Sequence, residues 1–344
     1  MPITPSSTRI LVTGAGGFIS LHTILKLLQL GYKVRGTVRT ESHGRHVVEV
    51  MSKHTSTDKL EMVVADLMKD EGWSEAIHGC DYVLHLASPF PAENPKDENE
   101  LIAPARDGTL RVLRAAHAEG VKRVVLASSV AAVAGGHTGE NRTFDQSDWT
   151  DLEKNISAYE KSKTIAEHSA WDFINGSGNS KKMEMASVNP TNVFGPVLDN
   201  HHHTSTEWFT TLMQAEVPGV ARTQINFVDV RDVVDALVKA MTLPEASGGR
   251  FIVNGASIPL PEFANILHKN FTSLGYRVPT RVIPDPLVRL FSLFIPKTRY
   301  VAASLGWKYD LSTEHTRSIL NWQPRPYEQT IIEMGKSLIE MNMV

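Results

Sequence analysis

Hydrophobic positions along the first half of the chain switch repeatedly between two periods. Arg9-Ile-Leu-Val-Thr13 reads as a buried strand, a glycine turn follows, and Phe18 to Leu30 carries apolar residues at helical spacing. Gly31 stands just past that helix, where a left-handed residue closes it. Tyr32 to Val38, Leu60 to Ala65, Asp81 to Ala87 and Val121 to Ala127 read as further strands, with helical pattern between them, notably Thr109 to Glu119. A helix over Tyr159 to Ile174, a polar loop at Asn175 to Lys182 and a strand at Met185 to Val188 continue the alternation. The pattern predicts an α/β, Rossmann-type doubly wound parallel sheet covered on both faces.

After Pro190 the regularity falls away. A His-rich loop, helices near Glu207 to Gln214 and Val230 to Met241, a short strand at Arg250 to Val253 and proline-rich helical segments remain. Residues 1–190 are expected to form the nucleotide-binding part and 191–344 mainly a smaller C-terminal substrate-binding lobe. Segments near 225–255 are expected to return to the sheet.

Composition narrows the function class. In 344 residues, 35 Lys and Arg against 38 Asp and Glu give a net charge of −3, which supplies no general attraction for nucleic acid or an anionic membrane. A single cysteine, Cys80, excludes an internal disulfide framework and fits a reducing, cytoplasmic setting. Met1 to Arg9 lacks the apolar stretch of a secretory signal, and Leu287 to Pro296, interrupted by Arg289 and Ser292, is too short to span a bilayer. The expectation is a soluble enzyme or binding protein, monomeric or homodimeric.

Thr13-Gly14-Ala15-Gly16-Gly17-Phe18-Ile19-Ser20 lies between the first strand and the first helix. There glycine permits a tight turn, backbone can approach a pyrophosphate, and the helix start offers free N–H groups to an anion. Ser20 replaces the usual third glycine or alanine and is still small enough for helix-on-strand packing. Twenty residues on, the second strand ends Gly36-Thr37-Val38-Arg39 with no carboxylate to accept a ribose 2′-hydroxyl. Arg39 instead offers a planar fork to a 2′-phosphate, which favours NADP(H); the alternative is a solvated surface arginine beside Glu41. Asp66-Leu67 follows the third strand, where the carboxylate either accepts from an adenine amine or caps a helix.

Tyr159 and Lys163 stand four residues apart on one face of a predicted helix. A phenol with pKa near 10 becomes a useful acid near neutrality only if its environment supplies roughly 3–4 kcal/mol, and a neighbouring ammonium acts in that direction. Such a phenol suits delivery of a proton to a carbonyl oxygen. Ser129, at the carboxyl end of the fifth strand, is placed to hydrogen-bond the same oxygen.

Taken together, these stretches resemble the extended short-chain dehydrogenase/reductase family, most closely its dihydroflavonol reductase-like branch, which includes cinnamoyl-CoA reductases and fungal methylglyoxal and aldehyde reductases. The resemblance is carried by Val12 to Ile19, Gly31 to Arg39, His85-Leu-Ala-Ser-Pro-Phe90 and Val124 to Val130. Tyr159 to Lys163, Val188-Asn-Pro-Thr-Asn-Val-Phe-Gly-Pro196, Val228 to Asp232 and Leu320-Asn-Trp-Gln-Pro-Arg-Pro326 extend it along nearly the whole chain. It implies a catalytic triad of Ser129, Tyr159 and Lys163, with Lys163 also holding the nicotinamide ribose. It further implies that Ala87 and Pro190, Thr191 and Val193 line the nicotinamide, and that Asp66 and Leu67 contact adenine.

The expected activity is NADPH-dependent reduction of aldehydes or ketones to alcohols, reversibly. Two alternatives stand beside it: an NAD-dependent nucleotide-sugar epimerase or dehydratase, and a regulatory NADP(H)-sensing protein. The cinnamoyl-CoA reductase motif is replaced by Ile156-Ser-Ala-Tyr159, and the segment after Ser129 is apolar. Those departures favour a small or apolar carbonyl compound, with Phe90, Val130 and Trp208 as pocket candidates.

No metal is expected. Adjacent His201, His202 and His203 cannot all reach one tetrahedral ion, and no acidic partner stands out at useful spacing. Asp229, Arg231 and Asp232 read as a structural ion-pair network, and Cys80 as a buried apolar residue.

Overall fold

The computed structural model of the protein describes residues 4–88, 97–201, 204–295 and 298–344. The chain runs β1 (Arg9–Val12), α1 (Phe18–Gln29), β2 (Lys33–Val38), α2 (Glu41–Ser52), β3 (Leu60–Val64), α3 (Trp73–Ile77), β4 (Tyr82–His85), α4 (Asn99–Glu119) and β5 (Arg123–Ala127). Next come β6 (Thr143–Phe144), α5 (Ala158–Asn175), β7 (Glu184–Pro190), β8 (Asn192–Phe194), α6 (Thr204–Met213), β9 (Gln224–Asp229), α7 (Val230–Thr242) and β10 (Arg250–Val253). The last third adds β11 (Ala256–Pro259), α8 (Leu260–Phe271), α9 (Asp285–Phe294), α10 (Arg299–Ala303), β12 (Asp310–Leu311), α11 (Glu314–Leu320) and α12 (Tyr327–Glu340).

Seven parallel strands form one sheet in the order β10-β7-β5-β4-β1-β2-β3. The winding direction reverses between β1 and β4, and a crevice opens there beyond the carboxyl ends of the strands, where open α/β sheets hold ligands. Along β1 the side chains alternate between two cores. Ile10 and Val12 pack with Leu21, Ile24 and Leu27 of α1, whereas Leu11 packs with Trp73 of α3 and Val112 of α4. A strand buried on both faces has no polar side to show, so the run Ile-Leu-Val carries no alternation.

β10 lies at the sheet edge beside β7, and α7 packs on β5, β7 and α1, so the chain crosses back after an excursion. That excursion builds a small mixed sheet, β11-β9-β8. α4 begins well before the Thr109 predicted from sequence and runs through Pro104. Burial of Leu101, Ile102 and Ala105 outweighs the lost backbone hydrogen bond. α5 starts at a capping box in which Ser157 and Glu160 each satisfy the other's backbone N–H.

Candidate active site

At the switch point the two loops are joined by one hydroxyl. Thr13 Oγ1 accepts hydrogen bonds from Leu86 N at 3.0 Å and Ala87 N at 2.9 Å, and lies 2.9 Å from His85 Nδ1. Gly14 has φ +65°, and a Cβ there would sit 3.0 Å from the Ala87 Cα, so glycine is required by conformation and by space. Gly17 caps α1 with no side chain over the helix start, and the first turn, which begins with Phe18 and Ile19, carries no acidic residue. The leading N–H groups of α1 thus face the crevice ready for an anion, as a pyrophosphate requires. Ser20 is buried and reaches back to the Thr13 carbonyl at 3.4 Å, so the departure at that position is absorbed by a hydrogen bond.

Past the end of β2, Arg39 is exposed, and its guanidinium forms no salt bridge with another described residue. Glu41 lies 3.7 Å from Arg45. Asp66 spends one carboxylate oxygen on the Met68 N–H at 3.0 Å, a local turn contact. Leu67 packs against Gly108 of α4, where a Cβ would come within 3.1 Å.

Ser129, Tyr159 and Lys163 come together at the carboxyl ends of β5 and β7. Ser129 follows β5, is buried, and opens a short 3-10 turn whose Ala131 N–H it accepts at 3.1 Å. The Ser129 side chain also approaches the Tyr159 phenol and favours its ionised form. Lys163 lies one turn along α5, its Nζ 5.9 Å from the Tyr159 ring centroid. Desolvation pushes the Tyr159 phenol up, with the Ser129 hydrogen bond opposing. Lys163 is lowered to about 8, again by burial, with the charge of Glu167 opposing.

The four-residue spacing predicts an ammonium that brings the phenol toward neutrality; in the structure, burial dominates both groups. A phenol that keeps its proton at pH 7 is still a sufficient acid for an alkoxide, which is far more basic than a phenolate.

Glu167 is a further residue of this cluster, not expected from the sequence. It continues the face of α5 another turn beyond Lys163 and is completely buried. Its carboxylate accepts from Ser128 Oγ (2.5 Å), Ser187 Oγ (2.9 Å), Asn189 Nδ2 (2.8 Å) and Arg250 Nε (2.8 Å), and these donors keep it charged below the ordinary carboxylate range against the cost of burial. The regular spacing Tyr159, Lys163, Glu167 was the available signal.

Pro190, Thr191 and Val193 are buried beside this cluster at the end of β7 and in β8. Val130 sits half-buried on the turn after Ser129 and packs toward Val133 and Phe144. Trp208 stacks on Phe194 with ring centroids 5.6 Å apart and meets Phe263 edge-on at 5.3 Å, so its ring is engaged in the lobe's aromatic core. Phe90, His202 and His203 fall outside the described residues.

Asp229 pairs with Arg231 at 2.7 Å and Asp232 with Arg325 at 2.9 Å, while the indole of Trp322 donates to the Asp232 carbonyl at 2.8 Å. These bonds clamp the C-terminal Trp-x-Pro element onto α7. Cys80 is buried, and burial pushes its thiol up to about 11.

One expectation needs correction. An acidic partner does stand close to the histidine run: Asp199 Oδ2 lies 3.3 Å from His201 Nδ1 and 3.2 Å from Nε2 of His46, a residue of α2. Asp199 stands only two residues before His201, whereas the His46 half of the contact was invisible in the sequence, 153 positions away from Asp199.

A dinucleotide cradle at the switch point, with a Ser-Tyr-Lys cluster across the crevice, defines a nucleotide-dependent dehydrogenase, reductase or epimerase of the short-chain type. The chain belongs to the NAD dependent epimerase/dehydratase family, which it matches over residues 10–254. It is 32% identical to the NADPH-dependent methylglyoxal reductase GRE2 of Saccharomyces cerevisiae over 78% of this chain and 84% of that one. Cinnamoyl-CoA reductase CAD2 of Medicago truncatula is also 32% identical, over 87% and 90%. Among solved structures, yeast methylglyoxal/isovaleraldehyde reductase Gre2 complexed with NADPH matches with a TM-score of 0.82 and 28% identity, covering 98% of this chain and 99% of that one. No helix among the described residues is long and apolar enough to cross a membrane.

Proposed function

We propose that the protein is an NADPH-dependent reductase that converts aldehydes or ketones to alcohols, with Ser129, Tyr159 and Lys163 as its catalytic residues. Residues 1–190 serve the cofactor, and 191–344 serve mainly the substrate. NADPH, when bound, supplies hydride to the carbonyl carbon. Thr13, Gly14, Gly16, Gly17, Phe18 and Ile19 would hold its pyrophosphate, Arg39 its 2′-phosphate, Asp66 and Leu67 its adenine end, and Ala87, Pro190, Thr191 and Val193 its nicotinamide end.

The chain's own residues handle the proton. Ser129 donates a hydrogen bond to the substrate oxygen and fixes it beside the phenol. Tyr159 gives its proton to that oxygen as negative charge develops, so carbonyl, hydride and proton together make the alcohol. The Lys163 ammonium, one turn away, stabilises the phenolate that remains until solvent returns its proton. Val130, rather than the core-bound Trp208, contributes to the apolar wall expected for a small or apolar carbonyl compound. With one buried cysteine the enzyme suits a reducing cytoplasm, as a monomer or homodimer.

The observation that supports this reading best is the approach of the Ser129 side chain to the Tyr159 phenol, with Lys163 Nζ 5.9 Å from the same ring. Exposed Arg39, in place of a carboxylate at the end of β2, favours it over an epimerase that retains NAD. The test is NADPH consumption with a panel of aldehydes and ketones, NADH in parallel. Turnover with NADPH is expected, falling by roughly 10²–10⁴-fold in Tyr159→Phe. Undiminished turnover in that variant would remove Tyr159 from its role, and tightly retained NAD with no carbonyl reduction would restore the epimerase reading.

A further inference from the structure

Three potential metal ligands converge from two separate parts of the chain. His46 projects from α2; Asp199 and His201 lie on the segment between β8 and α6. Asp199 Oδ2 is 3.2 Å from His46 Nε2 and 3.3 Å from His201 Nδ1, and the three ligand atoms all lie within 4.8 Å of one another. We propose that His46, Asp199 and His201 form a binding site for a divalent transition-metal ion, with Zn²⁺ as the best fit.

The geometry suits an ion. Tetrahedral zinc holds nitrogen and oxygen ligands at about 2.0–2.1 Å, which sets neighbouring ligand atoms roughly 3.3–3.4 Å apart. Two of the three edges already have that length. The Asp199 side chain is only 4% exposed, so its charge is held in a place where anions are costly, and two imidazoles converge on the same oxygen of it. The His46 and His201 side chains are 31% and 53% exposed, which leaves room for ring adjustment on the third edge and for water at a fourth position. Two nitrogens and one oxygen suit zinc, cobalt or nickel, not the all-oxygen preference of magnesium or calcium.

The position gives such an ion a consequence. The segment leading to Asp199 is tied down by His22 Nε2, 2.8 Å from the Pro196 carbonyl, and by Val197 N donating to Ser337 Oγ at 2.9 Å. Beyond His201 the chain becomes α6 and carries Trp208. On α2, the neighbour of His46 is Val47, whose methyl is the atom that a Cβ at Gly16 would meet, at 3.9 Å. A bound cation would therefore staple the approach to α6 onto the helix that backs the glycine loop.

The test uses the untagged full-length protein, stripped with EDTA and titrated calorimetrically with Zn²⁺ alone. One ion per chain is expected, with a rise in melting temperature on saturation and weakening of at least 10-fold in His46→Ala and in His201→Ala. Co²⁺ should give the intense visible absorption of a tetrahedral complex in the wild type and lose it in either variant, while Mg²⁺ should not compete. Both histidines are partly exposed, so the variants are expected to fold, which circular dichroism checks; Asp199→Asn, at a buried position, is the less clean variant. Absence of one-to-one binding, or wild-type Zn²⁺ affinity in both histidine variants, overturns the proposal.

Discussion

Arg250 and Glu167 form an ion pair at 2.8 Å in which the carboxylate is wholly shielded from water. The pair joins the edge strand β10 to the helix carrying Tyr159 and Lys163. Ser128 and Asn189 are bonded to the same carboxylate, and Asn189 Nδ2 also donates to the Ser129 carbonyl at 3.2 Å. One buried charge thus registers the strand ends that present Ser129 against the helix face that presents the phenol.

Replacing Glu167 by Gln leaves the Arg250 guanidinium buried without its counter-charge. The cost is expected to be about 3–5 kcal/mol in urea unfolding. Glu167 also holds up the Lys163 ammonium, which already titrates near 8. Removing that charge should move the alkaline limb of the kcat/KM profile to lower pH. A destabilised variant whose limb stays in place would confine Glu167 to a structural part.

Acid sensitivity should trace to two buried histidines. Burial lowers His22 to about 4 and His85 to about 3, against an ordinary value of 6.5. Below pH 6.5 the unfolded chain takes up protons that the folded chain refuses, so stability is full above pH 6.5 and falls as the pH drops toward 4. Unfolding free energies measured across that window should show a slope approaching two protons. His22→Gln, which keeps a side-chain N–H for the Pro196 carbonyl, should remove close to one of them.

Arg39→Ala is expected to raise KM for NADPH by roughly 10- to 100-fold, the value of a charge-assisted hydrogen bond or two, and to leave kcat and the NADH reaction little changed. Paired steady-state assays with the two cofactors decide it. Equal losses with both would mean that the residue shapes the loop rather than recognising a phosphate.

Gly14 and Gly139 form a controlled comparison, since both have positive φ but only Gly14 faces another backbone, at Ala87. Alanine at Gly139 should cost about 1–2 kcal/mol of stability by conformation alone. Alanine at Gly14 should cost more and also weaken NADPH binding, as fluorescence titration would measure. Intact cofactor affinity in Gly14→Ala would show that the loop can yield at Ala87.

Much of the first half of the chain was legible because its signals are local. A doubly buried strand needs an unbroken apolar run, a helix needs its period, and a tight phosphate turn needs glycine; each requirement is met within a dozen residues between Arg9 and Ser20. Position 39 and the spacing of Tyr159 and Lys163 carry chemistry in residue type alone. The second sheet was not readable in the same way. Its strands β8, β9 and β11 are short and widely separated, and their pairing depends on the chain leaving the main sheet and returning through α7 and β10.

The sequence by itself thus determined the sheet and the glycine loop, because period and conformation are properties of short segments. Only the tertiary structure decided that Glu167 would anchor three strand ends, that Trp208 would turn into an aromatic core, and that His46 would meet Asp199 and His201. Those outcomes depend on which distant surfaces exclude water together, and burial then sets the protonation of Tyr159 and Lys163 more strongly than their four-residue spacing does.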